Sequence, residues 1–226
     1  MGHYPLFLEM ADKAALVVGG GAVAERKVRS LLQYGASIRI VSRDLTDGLK
    51  DLLETGRISF AGETFVENHL EGLTLVFAAT DDRQLNHEIS IKARERGVLV
   101  NAVDQPEDCT FIVPSIVRRG DLTIAVSTSG KSPALAKRVR KQLESQFGKE
   151  YAIFLDFLGR LRGRVISLGL SSEENSRIFN GVVNSDVLKL LAENRPAEAA
   201  GVLAGILPED LVIEDILSDF KNIWGE

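Results

Sequence analysis

Short apolar runs alternate with helical patterns from residue 14 to residue 103 of the chain. Five runs have the length and composition of buried strands: Ala14–Val18, Ser37–Val41, Ile58–Phe60, Leu73–Ala79 and Val98–Val103. Apolar residues at helical spacing separate the first three runs from one another and the fourth from the fifth. Strands that alternate with helices predict an α/β fold with a Rossmann-like parallel sheet covered on both faces.

The pattern changes after Cys109. Phe111–Val117 and Asp121–Ser127 are typical of two strands, and the turn-like residues between them favour an antiparallel pair. A basic helix is predicted after Pro133, and strand signals are absent beyond Tyr151. The apolar face of this helix repeats every four residues: Leu135, Val139, Leu143 and Phe147. We therefore predict a Rossmann domain over residues 1–112, a strand-pair and basic-helix region over 113–150, and a helical C-terminal domain over 151–226.

Composition narrows the class of protein. The 226 residues are 45% hydrophobic and carry a net charge of −5, which gives no general attraction to nucleic acid or to an anionic membrane. No apolar run is long enough to cross a bilayer, and the first residues lack the pattern of a secretion signal. The single cysteine fits a reducing compartment, and three widely spaced histidines give no legible metal site. We expect a soluble cytoplasmic protein.

A glycine motif follows the first predicted strand and opens a helix, as Gly19-x-Gly21-x-x-Ala24. In this context Gly19 permits a tight turn, Gly21 lets the backbone approach a pyrophosphate, and Ala24 lets the helix pack close to the sheet. The helix N-terminus then offers N–H groups to the phosphates. The alternative is a glycine-rich turn without a ligand, but the order of strand, turn, helix and second strand favours dinucleotide binding.

The second predicted strand ends in Ser42-Arg43-Asp44, where such proteins recognise the ribose. Asp44 suits the 2′-hydroxyl of NAD, whereas Arg43 suits the 2′-phosphate of NADP or stacks on the adenine. The residues alone leave both cofactors open.

Polar residues also end the fourth and fifth strands. Thr80 and Asn101 are predicted to hydrogen-bond the cofactor, with Val103 beside them, because ligands lie beyond the carboxyl ends of parallel strands. Asp104 places a carboxylate where chemistry would occur, although an aspartate there is equally typical of a turn cap.

Four segments together resemble a known family: GGGAVAERKVRSLL, FAATDDRQLN, NAVDQPEDCTFIVPSIVRRGDLTIAVSTSGKSP and LRGRV. They are similar to the precorrin-2 dehydrogenases, which occur alone and as the N-terminal module of siroheme synthases. The resemblance is strong from residue 1 to about residue 165 and weak in the tail. The segments NAVDQP and TSGKSP are more specific than the glycine motif.

The resemblance implies NAD-dependent oxidation of precorrin-2 to sirohydrochlorin by a homodimer, and in several members the insertion of ferrous iron in the same cleft. It implies that Asp104 is catalytic and that Ala22-Val23 and Arg43-Asp44 contact the cofactor. The strand pair and the apolar helix face are then expected to form the dimer interface. Thr128 departs from the pattern, since some relatives have a phosphorylatable serine there. The tail lacks the methyltransferase module of the fused enzymes, so methylation is not expected.

Residues 118–141 carry seven basic residues against one acid, a net charge of +6 in an acidic protein. A polycarboxylate tetrapyrrole would be attracted there, and the residues expected to bind it are Thr128, Lys131, Lys137 and Arg138. The alternative is a solvated basic helix face.

Two other functions fit parts of the pattern. An NAD-sensing regulatory module shares the glycine turn and the Ala-Thr-x-Asp strand end, but such modules usually place an acid directly after the second strand. The other is a chelatase with a vestigial dinucleotide fold. His87 is interpreted as a surface or packing residue, and Cys109 as a buried or half-buried small residue.

Overall fold

The computed structural model describes residues 2–208 and 211. They belong to two compact units, which divide between Val113 and Pro114. The first unit is α/β, and the second combines a strand pair with helices.

The first unit is a five-stranded parallel sheet with the strand order β3-β2-β1-β4-β5. Its strands are β1 (Ala14–Val18), β2 (Ser37–Val41), β3 (Ser59–Gly62), β4 (Leu75–Ala78) and β5 (Leu99–Ala102). Its helices are α1 (Ala22–Leu32), α2 (Asp47–Glu54) and α3 (Arg83–Glu95). Two short 3-10 turns that periodicity did not predict cover Glu67–Leu70 and Pro106–Asp108. The order reverses between β1 and β4, which is where open α/β sheets bind ligands.

The central strands are apolar on both faces because both faces are covered. In β1, Ala15 and Val17 pack into one core cluster, while Leu16 and Val18 pack into the other. The first cluster includes buried residues of α1 and α2, and the second includes Ile89 of α3. In a strand that is buried on both faces, consecutive residues are all apolar. Such a continuous run, without an alternating pattern, predicted β1.

The second unit begins with an antiparallel pair, β6 (Ser115–Arg119) and β7 (Leu122–Val126). Its helices are α4 (Pro133–Gln146), α5 (Glu150–Ser167), α6 (Ser172–Val183), α7 (Val187–Ala192) and α8 (Pro196–Ala204). Helix α4 packs on both strands of the pair, and α5 packs on β7. Ser132 begins α4 by accepting a hydrogen bond from the Leu135 N–H at 3.2 Å, with Pro133 in the first turn.

The C-terminal helices enclose their own apolar core. Phe154, Phe157 and Leu161 of α5 are buried in it with residues of α6, α7 and α8. Phe154 and Phe157 are therefore core residues of the second unit.

The predicted fold class is confirmed: a Rossmann-like parallel sheet, a separate strand pair and C-terminal helices. A boundary near residue 150 inside the second unit stays a prediction. The predicted helical domain extends to residue 226, and its residues 209–210 and 212–226 lie outside the described residues. Within the described part of the chain, no helix is both long and apolar enough to cross a membrane.

Candidate active site

The turn between β1 and α1 depends on two glycines that lack space for a side chain. Gly19 has φ +118°, and a Cβ there would overlap the carbonyl oxygen of Ala79. A Cβ on Gly20 would overlap the carbonyl oxygen of Asp44. The Gly19 N–H donates to the Val41 carbonyl at 2.8 Å, so the turn is fixed against β2 as it leaves β1. Backbone from three strand ends therefore converges around this turn.

Gly21 has a different environment. Its φ is −82°, which any residue adopts, and a Cβ there would meet no atom within 4 Å. It directly precedes α1 and, as a glycine, has no side chain that could cap the helix. The first N–H groups of α1 thus face open space, which is the arrangement that binds a phosphate. These residues fit the pyrophosphate of a dinucleotide.

The loop after β2 is held against the glycine turn. Thr46 donates its backbone N–H to the Gly20 carbonyl at 3.0 Å and its hydroxyl to Glu25 at 2.6 Å. The Thr46 hydroxyl and the Arg29 guanidinium hold the pKa of Glu25 below its usual value. Glu25 lies in the first turn of α1, so these bonds fix the helix N-terminus relative to the exposed Arg43-Asp44.

The ends of β4 and β5 complete the edge. Thr80 follows β4, and its hydroxyl lies 2.7 Å from the Asn86 side-chain oxygen. Val103 follows β5 and donates its N–H to the Ala78 carbonyl at 2.9 Å. Asp104 is exposed, and its φ of +57° lies in the left-handed region. A non-glycine residue in that region carries backbone strain, which is common at functional sites.

One cavity of about 950 Å³ lies along these strand ends, within the first unit. Most of the predicted cofactor and catalytic residues line it: Gly19, Gly21, Ala22, Val23, Arg43, Asp44, Thr80, Val103 and Asp104. Val23 is 37% exposed there. The cavity therefore joins a phosphate-binding turn, a candidate ribose-binding loop and an exposed carboxylate.

Asn101 does not line this cavity. Its amide donates to the Phe111 carbonyl at 3.0 Å and lies 3.5 Å from the Cys109 sulfur. β5 ends at Ala102, so Asn101 is inside the strand, and its side chain supports the segment that returns along β5. The structure thus gives Asn101 a structural contact instead of the predicted cofactor contact.

The four predicted substrate residues belong to the second unit. Thr128 makes a local turn, in which its hydroxyl donates to the Ser132 carbonyl at 3.0 Å and accepts from the Ser132 N–H at 3.1 Å. Lys131, Lys137 and Arg138 are exposed. Lys137 and Arg138 line a shallow cavity of about 420 Å³ on α4, together with Lys141.

Other basic residues of this segment have structural partners. Arg119 donates to the Phe147 and Glu144 carbonyls at 2.8 and 3.1 Å, which closes the C-terminus of α4. Arg140 is paired with Glu144 one turn along the same helix. The exposed basic surface of α4 is therefore narrower than the sequence count indicated.

The structure also shows the environments of Cys109 and His87. Cys109 is half-buried, and burial raises the pKa of its thiol, which is unlike a reactive cysteine. His87 lies on the surface, with its Nδ1 at 2.6 Å from the Asp108 carboxylate. No group of three His, Cys, Asp or Glu side chains among residues 2–208 and 211 is placed to hold a metal ion.

Sequence reasoning missed the residues that support the cavity from behind. Asn86, Gln105 and Asp108 are buried and hydrogen-bonded to one another, and Asn86 and Gln105 also line the cavity wall. Asparagine, glutamine and aspartate at these positions form no local sequence pattern that would predict a buried cluster. Only the packing of α3 against β5 brings them together.

Residues 6–115 match the family described as "Putative NAD(P)-binding", and residues 119–146 match "Sirohaem biosynthesis protein central". Siroheme synthase 1 of Serratia proteamaculans is 39% identical over 199 residues, which are 88% of this chain and 42% of that protein. The siroheme synthase of Nitrosomonas eutropha is 42% identical over 180 residues, which are 79% of this chain and 38% of that protein. The chain thus spans about two fifths of the length of these curated relatives.

A solved structure, "SirC, precorrin-2 dehydrogenase", superposes with a TM-score of 0.74 at 25% identity. The match covers 90% of this chain and 100% of that one, so it includes the parallel sheet, the strand pair and the C-terminal helices. Both matched families, the curated relatives and this structure agree with the segments singled out in the sequence. The chain belongs to the family of the siroheme synthases and precorrin-2 dehydrogenases.

Proposed function

We propose that this chain oxidises precorrin-2 to sirohydrochlorin with NAD, in siroheme biosynthesis. The observation that carries the proposal is a single cavity that joins an open phosphate-binding turn at Gly21 to the exposed carboxylate of Asp104. The family relationship supplies the reaction and its substrate. The unpaired Cys109 fits a reducing compartment, so the proposed location is the cytoplasm.

The cofactor is held by groups that the fold already presents. The N-terminus of α1 and the backbone of Gly21 receive the pyrophosphate, and Asp44 accepts a hydrogen bond from the ribose. When bound, NAD supplies the acceptor for the two electrons that leave the substrate with a hydrogen. Both Arg43 and Asp44 line the cavity, so the geometry allows either residue to meet the ribose.

Asp104 takes the proton that the oxidation releases. No side chain among residues 2–208 and 211 donates a hydrogen bond to its carboxylate, so its oxygens are available to a ligand. A carboxylate in this position acts as a general base. The same group would accept pyrrole N–H protons during insertion of ferrous iron, and we extend the proposal to that second reaction with iron as a substrate.

The exposed bases of α4 and of the turn before it provide attraction for a polycarboxylate substrate. Lys131, Lys137 and Arg138 are exposed, and the shallow cavity between the last two is open to a large anion. Long-range attraction of this kind raises the local substrate concentration at low salt. An NAD-sensing module would need neither this surface nor Asp104.

A homodimer is proposed from the strand pair. The apolar residues Ile116, Ile124 and Val126 on β6 and β7 are only half-buried, although α4 packs on both strands of the pair. Leu135 on α4 is 50% exposed. A second copy would cover these side chains through a symmetric interface.

The first prediction tests the reaction and its base together. Purified protein mixed with NAD and enzymatically made precorrin-2 should produce NADH and sirohydrochlorin, followed by absorbance. Asp104→Asn keeps the shape of the side chain but removes its basicity. Its kcat should fall by about two to four orders of magnitude, the range for loss of a general base.

Asp12 provides a matched control for Asp104. It is also exposed and has φ +58°, but it precedes β1 and so lies at the other end of the sheet. Asp12→Asn should leave kcat unchanged. NAD binding without any turnover of the wild-type protein would favour the regulatory module, and near-normal kcat in Asp104→Asn would make that residue a turn cap only.

The second prediction concerns the phosphate-binding turn. Gly21→Asp should weaken NAD binding at least about a hundredfold, because a carboxylate would occupy the pyrophosphate site. Gly21→Asn is the matched control, since it adds the same volume without charge and should bind more tightly than Gly21→Asp. Both variants should fold, because φ at this residue is ordinary and the space is open. Calorimetric titration that gives equal NAD affinity for wild type and Gly21→Asp would refute the assignment.

The third prediction concerns the basic surface of α4. The double variant Lys137→Ala, Arg138→Ala should raise KM for precorrin-2 by about three- to tenfold at low salt, with little change in kcat. The difference should shrink as salt screens the exposed charges. Lys13→Ala with Arg57→Ala removes the same charge from exposed positions that precede β1 and β3, and KM should not change. A salt-independent effect would mean that the two residues act in another way.

The fourth prediction concerns assembly. Light scattering at micromolar concentration should give twice the mass of the chain, and Leu135→Glu should shift the protein towards monomer because it places a charge in an apolar contact. Ile166→Glu on α5 is the control, since Ile166 is similarly exposed at 54%. A wild-type protein that is monomeric under these conditions would contradict the proposal.

A further inference from the structure

Four polar side chains among the described residues are buried, and all four lie in one cluster behind Asp104. They are Asn86, Ser90, Gln105 and Asp108, which we call the buried polar cluster; their exposed fractions are between 1% and 5%. Polar groups inside a core contribute little to stability compared with apolar groups of the same shape. Their concentration in one place therefore indicates a role other than packing.

Gln105 is the centre of the cluster. Its amide nitrogen donates to the Asp108 carboxylate at 2.8 Å and to the Arg83 carbonyl at 3.1 Å, while its oxygen accepts from the Asn86 amide at 3.3 Å. Both N–H groups and the oxygen are thus occupied. A side chain with this pairing has one orientation, and its backbone is fixed with it.

The partners of Gln105 are themselves fixed at the cavity edge. Asn86 donates to the Thr80 carbonyl at 3.0 Å and accepts from the Thr80 hydroxyl at 2.7 Å. The second carboxylate oxygen of Asp108 lies 2.6 Å from the His87 ring, and the Asp108 carbonyl accepts from Ser90 at 2.7 Å. The cluster therefore connects the end of β4 and helix α3 to the residue that follows Asp104.

Asp104 needs such support. Its backbone is left-handed, a conformation that costs energy for any residue with a Cβ. Within the part of the chain that the structure describes, no side chain holds its carboxylate in place. Its direction then depends on the backbone between Val103, which is bonded to β4, and Gln105, which is bonded to the cluster.

We propose that Gln105 is a positioning residue: it holds the left-handed backbone of Asp104 and directs that carboxylate into the cavity. This rests on the proposed function, in which Asp104 is the base. Gln105 touches neither cofactor phosphates nor the reacting atoms in this role. Gln105 affects kcat only because it positions the carboxylate of Asp104.

The test is a double-mutant cycle on kcat. Gln105→Met keeps the length of the side chain and removes all three hydrogen bonds, and kcat should fall about ten- to a hundredfold, the cost of a small misplacement of a reacting group. The dissociation constant for NAD should stay within about twofold, because the glycine turn is untouched. In the Asp104→Asn background, Gln105→Met should cause no further loss beyond about twofold.

Gln84→Met is the matched control, because Gln84 is exposed on the same helix as Asn86 and should not affect kcat. If Gln105→Met does not accumulate as folded protein, Gln105→Asn, which is one methylene shorter, takes its place with a smaller expected loss. A kcat within twofold of wild type in the Gln105 variants would overturn the proposal. An equal loss with and without Asp104 would overturn it as well.

A second double-mutant cycle measures Tm and so tests the effect of Gln105 on the backbone of residue 104 without any enzymatic turnover. Asp104→Gly should raise Tm by about 1–3 °C, since glycine adopts a left-handed backbone without strain. The gain should disappear in the Gln105→Met background, where the left-handed conformation is no longer held. Asp12→Gly should give the same gain in both backgrounds, because Asp12 is left-handed but remote in the fold.

The two cycles separate the two hypotheses. If the wild-type protein does not oxidise precorrin-2, the proposed function fails, and the Tm cycle alone decides whether Gln105 holds residue 104. If the protein is active but the gain from Asp104→Gly persists in the Gln105→Met background, the positioning role fails and the proposed function remains.

Discussion

The close approach of Gly19 to the Ala79 carbonyl is the contact on which the rest of the site depends. No side chain fits between these two backbones, and the left-handed φ of Gly19 turns the chain away from β1 at once. Because of that turn, α1 starts directly above the point where the strand order reverses, and its N-terminus faces the cavity. A larger residue would separate β1 from β4 or displace the helix. The phosphate site would be lost in either case.

Hydrogen-bond pairing divides the polar groups of this edge into two sets. The buried polar cluster is paired internally, so it has little remaining capacity for a ligand and acts as structure. Among the residues that the structure describes, no side chain caps the N-terminus of α1 and none pairs with the exposed carboxylate of Asp104, so these groups remain available. This difference in pairing, more than proximity to the cavity, distinguishes residues that bind from residues that support them.

The strands and the glycine turn could be predicted from the sequence because their signals are local. A strand covered on both faces is a continuous apolar run, and the turn after β1 has its own glycine spacing. Asn101 shows the limit of this reasoning. The predicted strand reached Val103, but β5 ends at Ala102, and a side chain inside the strand meets the returning segment at Phe111. Asn101 lies inside both the predicted strand and β5, so the strand assignment alone does not reveal that its side chain contacts a returning segment.

The buried polar cluster could not be predicted, because its members are ordinary polar residues that no periodicity marks. Asn86 lies in α3 and Gln105 lies in the loop after β5, 19 residues further along the chain, and only the packing of α3 beside β5 brings them to 3.3 Å. The sequence also does not show which bases of residues 118–141 have partners in the fold. Arg119 and Arg140 count as surface charge in the sequence, yet the fold uses one to close α4 and pairs the other with Glu144.

The contacts that offset the backbone strain at Asp104 lie on a neighbouring residue. A left-handed aspartate is less stable than a glycine would be, and no side chain of residues 2–208 and 211 offsets that cost by pairing with its exposed carboxylate. The stabilising contacts lie one residue further on, in the buried amide of Gln105, where no ligand has to bind. If Asp104 is the base, as we propose, its neighbour then supplies the energy that holds it, and its carboxylate, which no side chain of the described residues pairs with, is able to accept a proton.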